Sequence, residues 1–174
     1  MENKAVIIDA TRSPIGIKNG EMVGIRPDDL AAQVVKGLME RNNKVTSDQV
    51  EDLVMGCAFP EGPQGMLIGR SVVALAGLPQ TVPAKVVNRF CGSAMDALHQ
   101  VSTAIESGDI EVGIAAGIED MFSIPPGGFA PDFHPELAEQ EYYIGMGETA
   151  ENLANDGNIS REAQEDCAMN SHKK

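Results

Sequence analysis

Short apolar runs alternate with stretches of helical periodicity, and that alternation confines the chain to one class of architecture. Ala5-Val6-Ile7-Ile8, Leu53-Val54-Met55-Gly56-Cys57, Ala84 to Asn88 and Val112-Gly113-Ile114-Ala115-Ala116 all have strand length. Largely unbroken hydrophobicity in such runs marks strands covered on both faces. Pro27 opens a helix at its first position, with Asp28 and Asp29 in the positive first turn. Leu30, Val34 and Leu38, beside Ala31, Val35 and Met39, supply its buried face. Thr46 with Gln49 has the spacing of a capping box for one short turn. Met66 to Ala76 predicts a second helix, stopped by Gly77-Leu78-Pro79. In a third helix, Ala94, Ala97, Leu98, Val101, Ala104 and Ile105 fall on one stripe, and Gly108 suits a left-handed C-terminal cap. Strands alternating with helices predict an α/β layer with a mostly parallel sheet. In such sheets the strand C-terminal ends build the site.

After Met121 the pattern changes. Pro125-Pro126-Gly127-Gly128 and Pro131 to Pro135 read as a long loop, followed by helical segments Glu148 to Asp156 and Arg161 to Lys174. With no strand signal past residue 120, the expected division is an α/β domain over 1–120 and a second region over 121–174.

Charge and composition exclude several classes of function. A formal charge of −13 disfavours non-specific binding to nucleic acid or anionic membranes. There is no apolar run of membrane-spanning length, and Met1-Glu2-Asn3-Lys4 leads into the first run without the basic region and cleavage site of a signal peptide. The 3 cysteines, Cys57, Cys91 and Cys167, are widely spaced and odd in number. They suggest neither a disulfide framework nor a zinc site, so no metal is expected and a reducing cytosol or organelle matrix fits best. No strand is followed by G-x-G-x-x-G, which argues against a dinucleotide-binding domain.

Cys91 carries the most chemistry. The strand Val86-Val87-Asn88 runs through Arg89-Phe90 into Cys91, and Gly92-Ser93-Ala94-Met95 begin the third helix. That placement is expected to aim unpaired helix N–H groups at the sulfur, favouring its anionic, nucleophilic form. The competing reading is a buried, inert cysteine. A helix terminus contributes only about 0.3–1 kcal/mol, up to ~2 in good geometry, so a base should assist. His99 lies eight residues down the same helix, about 12 Å along its axis and out of reach. His134 sits in the loop run Asp132-Phe133-His134-Pro135 and His172 at the extreme end, neither with a visible tie to Cys91. The base is expected to lie outside this chain.

The segment Val87 to Leu98 resembles the nucleophile motif of the thiolases. Asp9-Ala10-Thr11-Arg12-Ser13-Pro14-Ile15-Gly16 resembles that family's opening, and Ala76-Gly77-Leu78-Pro79 with Val82-Pro83 its approach to the third strand. Gly117-Ile118-Glu119-Asp120-Met121 resembles the segment after the fourth strand. Met146-Gly147-Glu148-Thr149-Ala150-Glu151-Asn152 and Ile159-Ser160-Arg161-Glu162 resemble the start of the loop domain that cradles coenzyme A. Their shared order and spacing are specific where the single pieces are not. Asp132-Phe133-His134-Pro135 leans toward the degradative 3-ketoacyl-CoA thiolases. Ala94 stands where many members have glycine, and Ala116 replaces the first of a frequent Gly-Gly pair.

The resemblance implies a thiolase-like N-terminal α/β half, lacking its last strand, plus the beginning of the loop domain. The second half would bring a Gly-His-Pro histidine, an Asn-Glu motif and a cysteine in Cys-x-Gly-Gly, none of which is here. The expectation is a fragment, its remainder truncated or supplied by a second polypeptide. The implied reaction is thiolysis of 3-ketoacyl-CoA, or the reverse Claisen condensation, through an acyl-Cys91 intermediate. Coenzyme A is then a substrate, and no cofactor is tightly bound. Met146 matches a methionine of the pantetheine and acyl channel, with a core methionine as the alternative. Asn88 and Arg89 are expected to hold the site at a dimer interface. For Glu119 a solvated or capping carboxylate is the better reading, and for His134 a loop histidine that caps or packs. Implied partners are acyl-CoA, CoA, a second copy in a homo-oligomer, and a complex with other β-oxidation enzymes. Alternatives are a ketoacyl synthase or hydroxymethylglutaryl-CoA synthase, and a CoA- or acyl-binding protein without turnover.

Overall fold

The structure, a computed structural model, describes residues 4–174. It divides into two compact units, Met1–Ala130 and Pro131–Lys174. In the first unit the sheet consists of β1 (Asp52–Gly56), β2 (Ala84–Val87) and β3 (Gly113–Gly117) in the order β2-β1-β3. Both pairings are parallel, with Leu53 opposite Ala84 on one side and Ile114 on the other. Parallel strands need crossovers, and helices supply them. α1 (Pro27–Arg41) precedes β1, α2 (Ile68–Leu75) joins β1 to β2, and α3 (Ser93–Ser107) joins β2 to β3.

Side-chain alternation along β1 divides the core between the two faces of the sheet. Leu53, Met55 and, just past the strand, Cys57 point to one face, where they pack with Ala31, Ala32 and Val35 of α1 and Ile68, Val72 and Val73 of α2. Val54 points to the other face and packs with Ala97 and Val101 of α3. β1 is thus covered on both faces, the burial expected of Ala5–Ile8 and found here instead. α1 buries Ala31 and Val35 as the periodicity places them, and Ala32 besides. On α3 the stripe holds only in part: Ala97 and Val101 are buried, while Ala94 and Leu98 are exposed and Ser93 is buried instead. Gly108 ends α3 in the left-handed region at φ 82°. The Gln49 side chain accepts from the Thr46 backbone N–H at 2.8 Å, the returning half of the expected box.

Two expectations in this unit need correction. Ala5-Val6-Ile7-Ile8 is not a strand: the segment is irregular, and Val6, Ile7 and Ile8 are about two-thirds exposed or more. A strand requires a neighbouring ladder. Here an apolar cavity of about 350 Å³ is lined by Val6, Ile7 and Ile8 together with Ile114 and Ala115 of β3. The segment is instead anchored at its end, where Asp9 pairs with Arg41 and accepts from Asn42 Nδ2 at 2.6 Å. The helix predicted from Met66 begins only at Ile68, because Met66 and Leu67 both have left-handed backbones, φ 49° and 60°.

The second unit contains α4 (Pro135–Glu139), α5 (Met146–Asp156) and α6 (Arg161–His172) and no strand among the described residues. α5 starts two residues before the predicted Glu148, and α6 ends two residues before Lys174. Ser160 caps α6, its hydroxyl accepting from the Ala163 N–H at 3.2 Å. Ahead of α5, Phe133 and Tyr143 stack with ring centroids 4.6 Å apart. Among the described residues no helix is long and apolar enough to cross a membrane.

Candidate active site

The site region lies where β1, β2 and β3 end, and the backbone beyond β2 is shaped by local hydrogen bonds. Asn88 folds back so that its Oδ1 accepts from the Phe90 N–H at 2.9 Å. Phe90 takes the left-handed conformation, φ 46°, a strained choice for a bulky residue. The buried Ser93 hydroxyl fastens the turn, accepting from the Arg89 N–H at 2.9 Å and donating to the Phe90 carbonyl at 2.6 Å. Arg89 reaches forward to Asp96 in the first turn of α3, 3.1 Å away. The Phe90 ring lies 6.2 Å from that of Phe59, centroid to centroid.

Cys91 stands at the apex of this turn, exposed, one residue before the helix cap Gly92. Cys91 is thus not buried within this chain, against the competing reading. The expected bundle of free helix N–H groups is only partly present. Those of Gly92 and Ser93 close the turn onto Arg89 and Phe90 carbonyls, at 3.0 Å each. The backbone N–H of Cys91 itself makes no hydrogen bond among the described residues.

The end of α3 beside Cys91 sits against the sheet at a distance only glycines allow. A Cβ on Gly56 would fall 2.4 Å from the Ala94 backbone nitrogen, and one on Gly117 would fall 2.6 Å from the Ala94 Cβ. These closing residues of β1 and β3 therefore set how deeply the turn bearing Cys91 is seated. Their importance is invisible to periodicity, because each is simply the last residue of its strand.

A polar cluster ties the three strand ends together. The Glu119 carboxylate, just past β3, accepts from the N–H groups of Ala58 at 2.6 Å and Phe59 at 3.3 Å. This is the capping role expected of it. Gln64 is fully buried and donates to Glu119 Oε1 and the Phe59 carbonyl, both at 2.8 Å, while accepting from the Asp120 N–H. Asn88 Nδ2 donates to the Ala58 carbonyl at 2.8 Å. Asn88 and Arg89 thus both have partners within the chain. Sequence reasoning passed over Gln64, whose only signal was a polar residue in the turn Gly62-Pro63-Gln64-Gly65.

The other cysteines differ from Cys91. Cys57 is buried at the end of β1, and burial followed by the nearby Glu119 charge pushes its thiol up to about 11. It remains protonated near neutral pH and has no access to a substrate. Cys167 is exposed on α6. Met146 opens α5 in the second unit with its side chain exposed, not in a core. His99 is exposed on α3, and His134 precedes α4 at its cap position. No group of histidine, cysteine and carboxylate side chains that could hold a metal occurs among the described residues.

This arrangement has close counterparts. Residues 5–174 match the family described as Thiolase, N-terminal domain. A 3-ketoacyl-CoA thiolase of Bacillus subtilis is 40% identical over 173 residues, 98% of this chain and 44% of the relative. One from Aliivibrio salmonicida is 43% identical, over 97% of this chain and 44% of its own length. The crystal structure of the Bacillus anthracis acetyl-CoA acetyltransferase superposes with a TM-score of 0.83 at 29% identity, covering 99% of this chain and 46% of that one. The chain spans a little under half the length of these relatives, and within that span it belongs to the thiolase family, matching its N-terminal domain.

Proposed function

We propose that this chain provides the nucleophile of an acetyl-CoA C-acyltransferase that cleaves 3-ketoacyl-CoA with coenzyme A, or runs the reverse condensation. The observation that carries the reading is Cys91, exposed at a strained strand-to-helix turn in a chain of the thiolase family. The relatives' name, 3-ketoacyl-CoA thiolase, supports the choice of substrate.

In this reading the Cys91 thiolate attacks the C3 carbonyl of the substrate. The tetrahedral oxyanion collapses, the C2–C3 bond breaks, and its electron pair leaves as the enolate of acetyl-CoA. Protonation at C2 releases acetyl-CoA and leaves the shortened acyl group as a thioester on Cys91. The thiol of free coenzyme A, losing its proton to a base, attacks that thioester and restores the cysteine. The unpaired Cys91 N–H is a candidate donor to one oxyanion. His99 lies further down α3, about 12 Å along its axis from the turn that bears Cys91. The base and the acid that protonates the enolate are assigned to the portion by which the relatives are longer. Coenzyme A acts as substrate. Met146, exposed at the start of α5, is assigned to its pantetheine or acyl channel, where a flexible thioether suits a variable chain. The working assembly is a homo-oligomer in a reducing compartment, engaged in acyl-chain degradation.

The direct test is to incubate the full-length protein with a 3-ketoacyl-CoA, quench in acid, and map the modified peptide. The acyl group is expected on Cys91; its appearance on Cys57 or Cys167 with Cys91 unmodified would refute the assignment. Cys91→Ser should abolish most activity, because an unactivated hydroxyl is a far weaker nucleophile than a thiolate.

A further inference from the structure

The hydrogen bonds around Cys91 form a continuous chain running in one direction. The Gly92 N–H, part of the Cys91–Gly92 peptide, donates to the Arg89 carbonyl at 3.0 Å. The N–H of that same Arg89–Phe90 peptide donates to Asn88 Oδ1 at 2.9 Å. Asn88 Nδ2 donates to the Ala58 carbonyl at 2.8 Å, and the N–H of the Ala58–Phe59 peptide donates to Glu119 Oε1 at 3.3 Å. Every donor points toward the carboxylate. Aligned amide dipoles polarise one another, and a charged acceptor at the end of the row strengthens the links. The Glu119 carboxylate is itself held by the buried Gln64 and by the Ala58 N–H.

We propose that Glu119 is a positioning residue for Cys91, acting through the Ala58–Phe59 peptide and the Asn88 side chain to hold the strained Phe90–Cys91 turn in its reactive geometry. The turn needs such support. Phe90 in the left-handed region persists only where its surroundings over-determine it, and its N–H is held by Asn88 alone among the described residues. Asn88 has one amide to serve both ends: its oxygen fixes Phe90, and its nitrogen fixes the loop after β1. Glu119 in turn decides where that loop sits. A local cap with no bearing on the nucleophile would not require Asn88 to bridge the two loops.

The inference rests on Cys91 being the nucleophile, and the test separates the two claims. In the full-length protein, Glu119→Gln keeps the shape but leaves one amide oxygen to serve donors now shared by two carboxylate oxygens. Asn88→Asp keeps the acceptor for Phe90 but sets an oxygen against the Ala58 carbonyl. Each variant is expected to lower kcat by about tenfold or more, as small misplacements of reacting groups do, with KM within about twofold. Alkylation of Cys91 by iodoacetamide should slow relative to Cys167 in the same sample, Cys167 being exposed on α6. The double variant should be no worse than either single one, since both break one chain. Unchanged kcat and alkylation ratio in both variants, or losses that multiply, would overturn the proposal. So would a loss confined to thermal stability with kcat per folded enzyme intact. If Glu119→Gln does not fold, Asn88→Asp decides alone. Wild-type enzyme that is not acylated at Cys91 would sink the nucleophile reading and this one together. Wild-type acylation with unaffected variants would sink only this one.

Discussion

Around Cys91, single atoms decide the geometry. Gly56 and Gly117 are where the first turn of α3 touches the sheet, and their contacts with Ala94 differ in kind. At Gly117 a new Cβ would meet the Ala94 Cβ, whereas at Gly56 it would meet backbone atoms of Ser93 and Ala94. Side-chain collisions can be relieved by a second substitution; backbone collisions cannot. Gly117→Ala should therefore destabilise by about 1–3 kcal/mol, the usual cost of overpacking. Adding Ala94→Gly should recover much of that loss. Gly56→Ala should cost at least as much and gain nothing from Ala94→Gly. Chemical denaturation of the four variants checks this, and equal rescue of both glycine sites would show that α3 is not seated as described. The pairing also accounts for alanine at position 94: with Gly117 opposite, one methyl group still fits.

Among the elements, the segment Ala5–Asp9 is the one whose placement rests on polar contacts and not on a sheet. Side-chain bonds from Arg41, then Asn42, hold the Asp9 carboxyl well below the usual carboxylate range. A carboxyl depressed on folding contributes stability above its unfolded value, near 3.8, and loses it as pH falls through that value toward the folded one. Wild-type protein should thus melt above Asp9→Asn near neutral pH, with the gap narrowing below about pH 3.8. Thermal midpoints measured across that range test it. A gap independent of pH would mean that the pair does not anchor the segment.

For the molecule as a whole, unsatisfied surface is the dominant feature. β2 is an edge of the described sheet, and an unpaired parallel edge is a template for another chain. Beside it Phe90 and Met95 are largely exposed, and Met66 almost fully so. Exposed apolar groups of this size mark an interaction surface. The full-length protein is therefore expected to be a homodimer built through the region from Val86 to Phe90. A monomeric mass in solution across micromolar concentrations would refute that. Residues 1–174 expressed alone should not turn over 3-ketoacyl-CoA, since the base is assigned to the portion by which the relatives are longer and the chain spans only 44% of their length. Loss of the substrate's enolate absorbance, followed beside the full-length protein, is the measurement. Turnover near the full-length rate would show that the base has been misplaced.

What the sequence determined by itself is most of the local elements and the strand-to-helix passage that bears Cys91. The helices α1 and α3, the apolar run of β1, the glycine cap at Gly108 and the strand-to-helix passage at Cys91 all follow from interactions within a few residues, and local pattern reports those. The capping nature of Glu119 was legible too, though not what it caps. Only the tertiary structure decided which apolar runs pair. Ala5–Ile8 has the composition of a strand, yet a ladder needs a neighbour, and the neighbour of any strand is chosen at long range. Tertiary structure alone also brought Gln64, Asn88 and Glu119 to one edge, from positions separated by up to 55 residues. Hydrogen-bond partners at that separation leave no periodic trace in the chain, so the polar cluster emerges only once the three strand ends stand side by side.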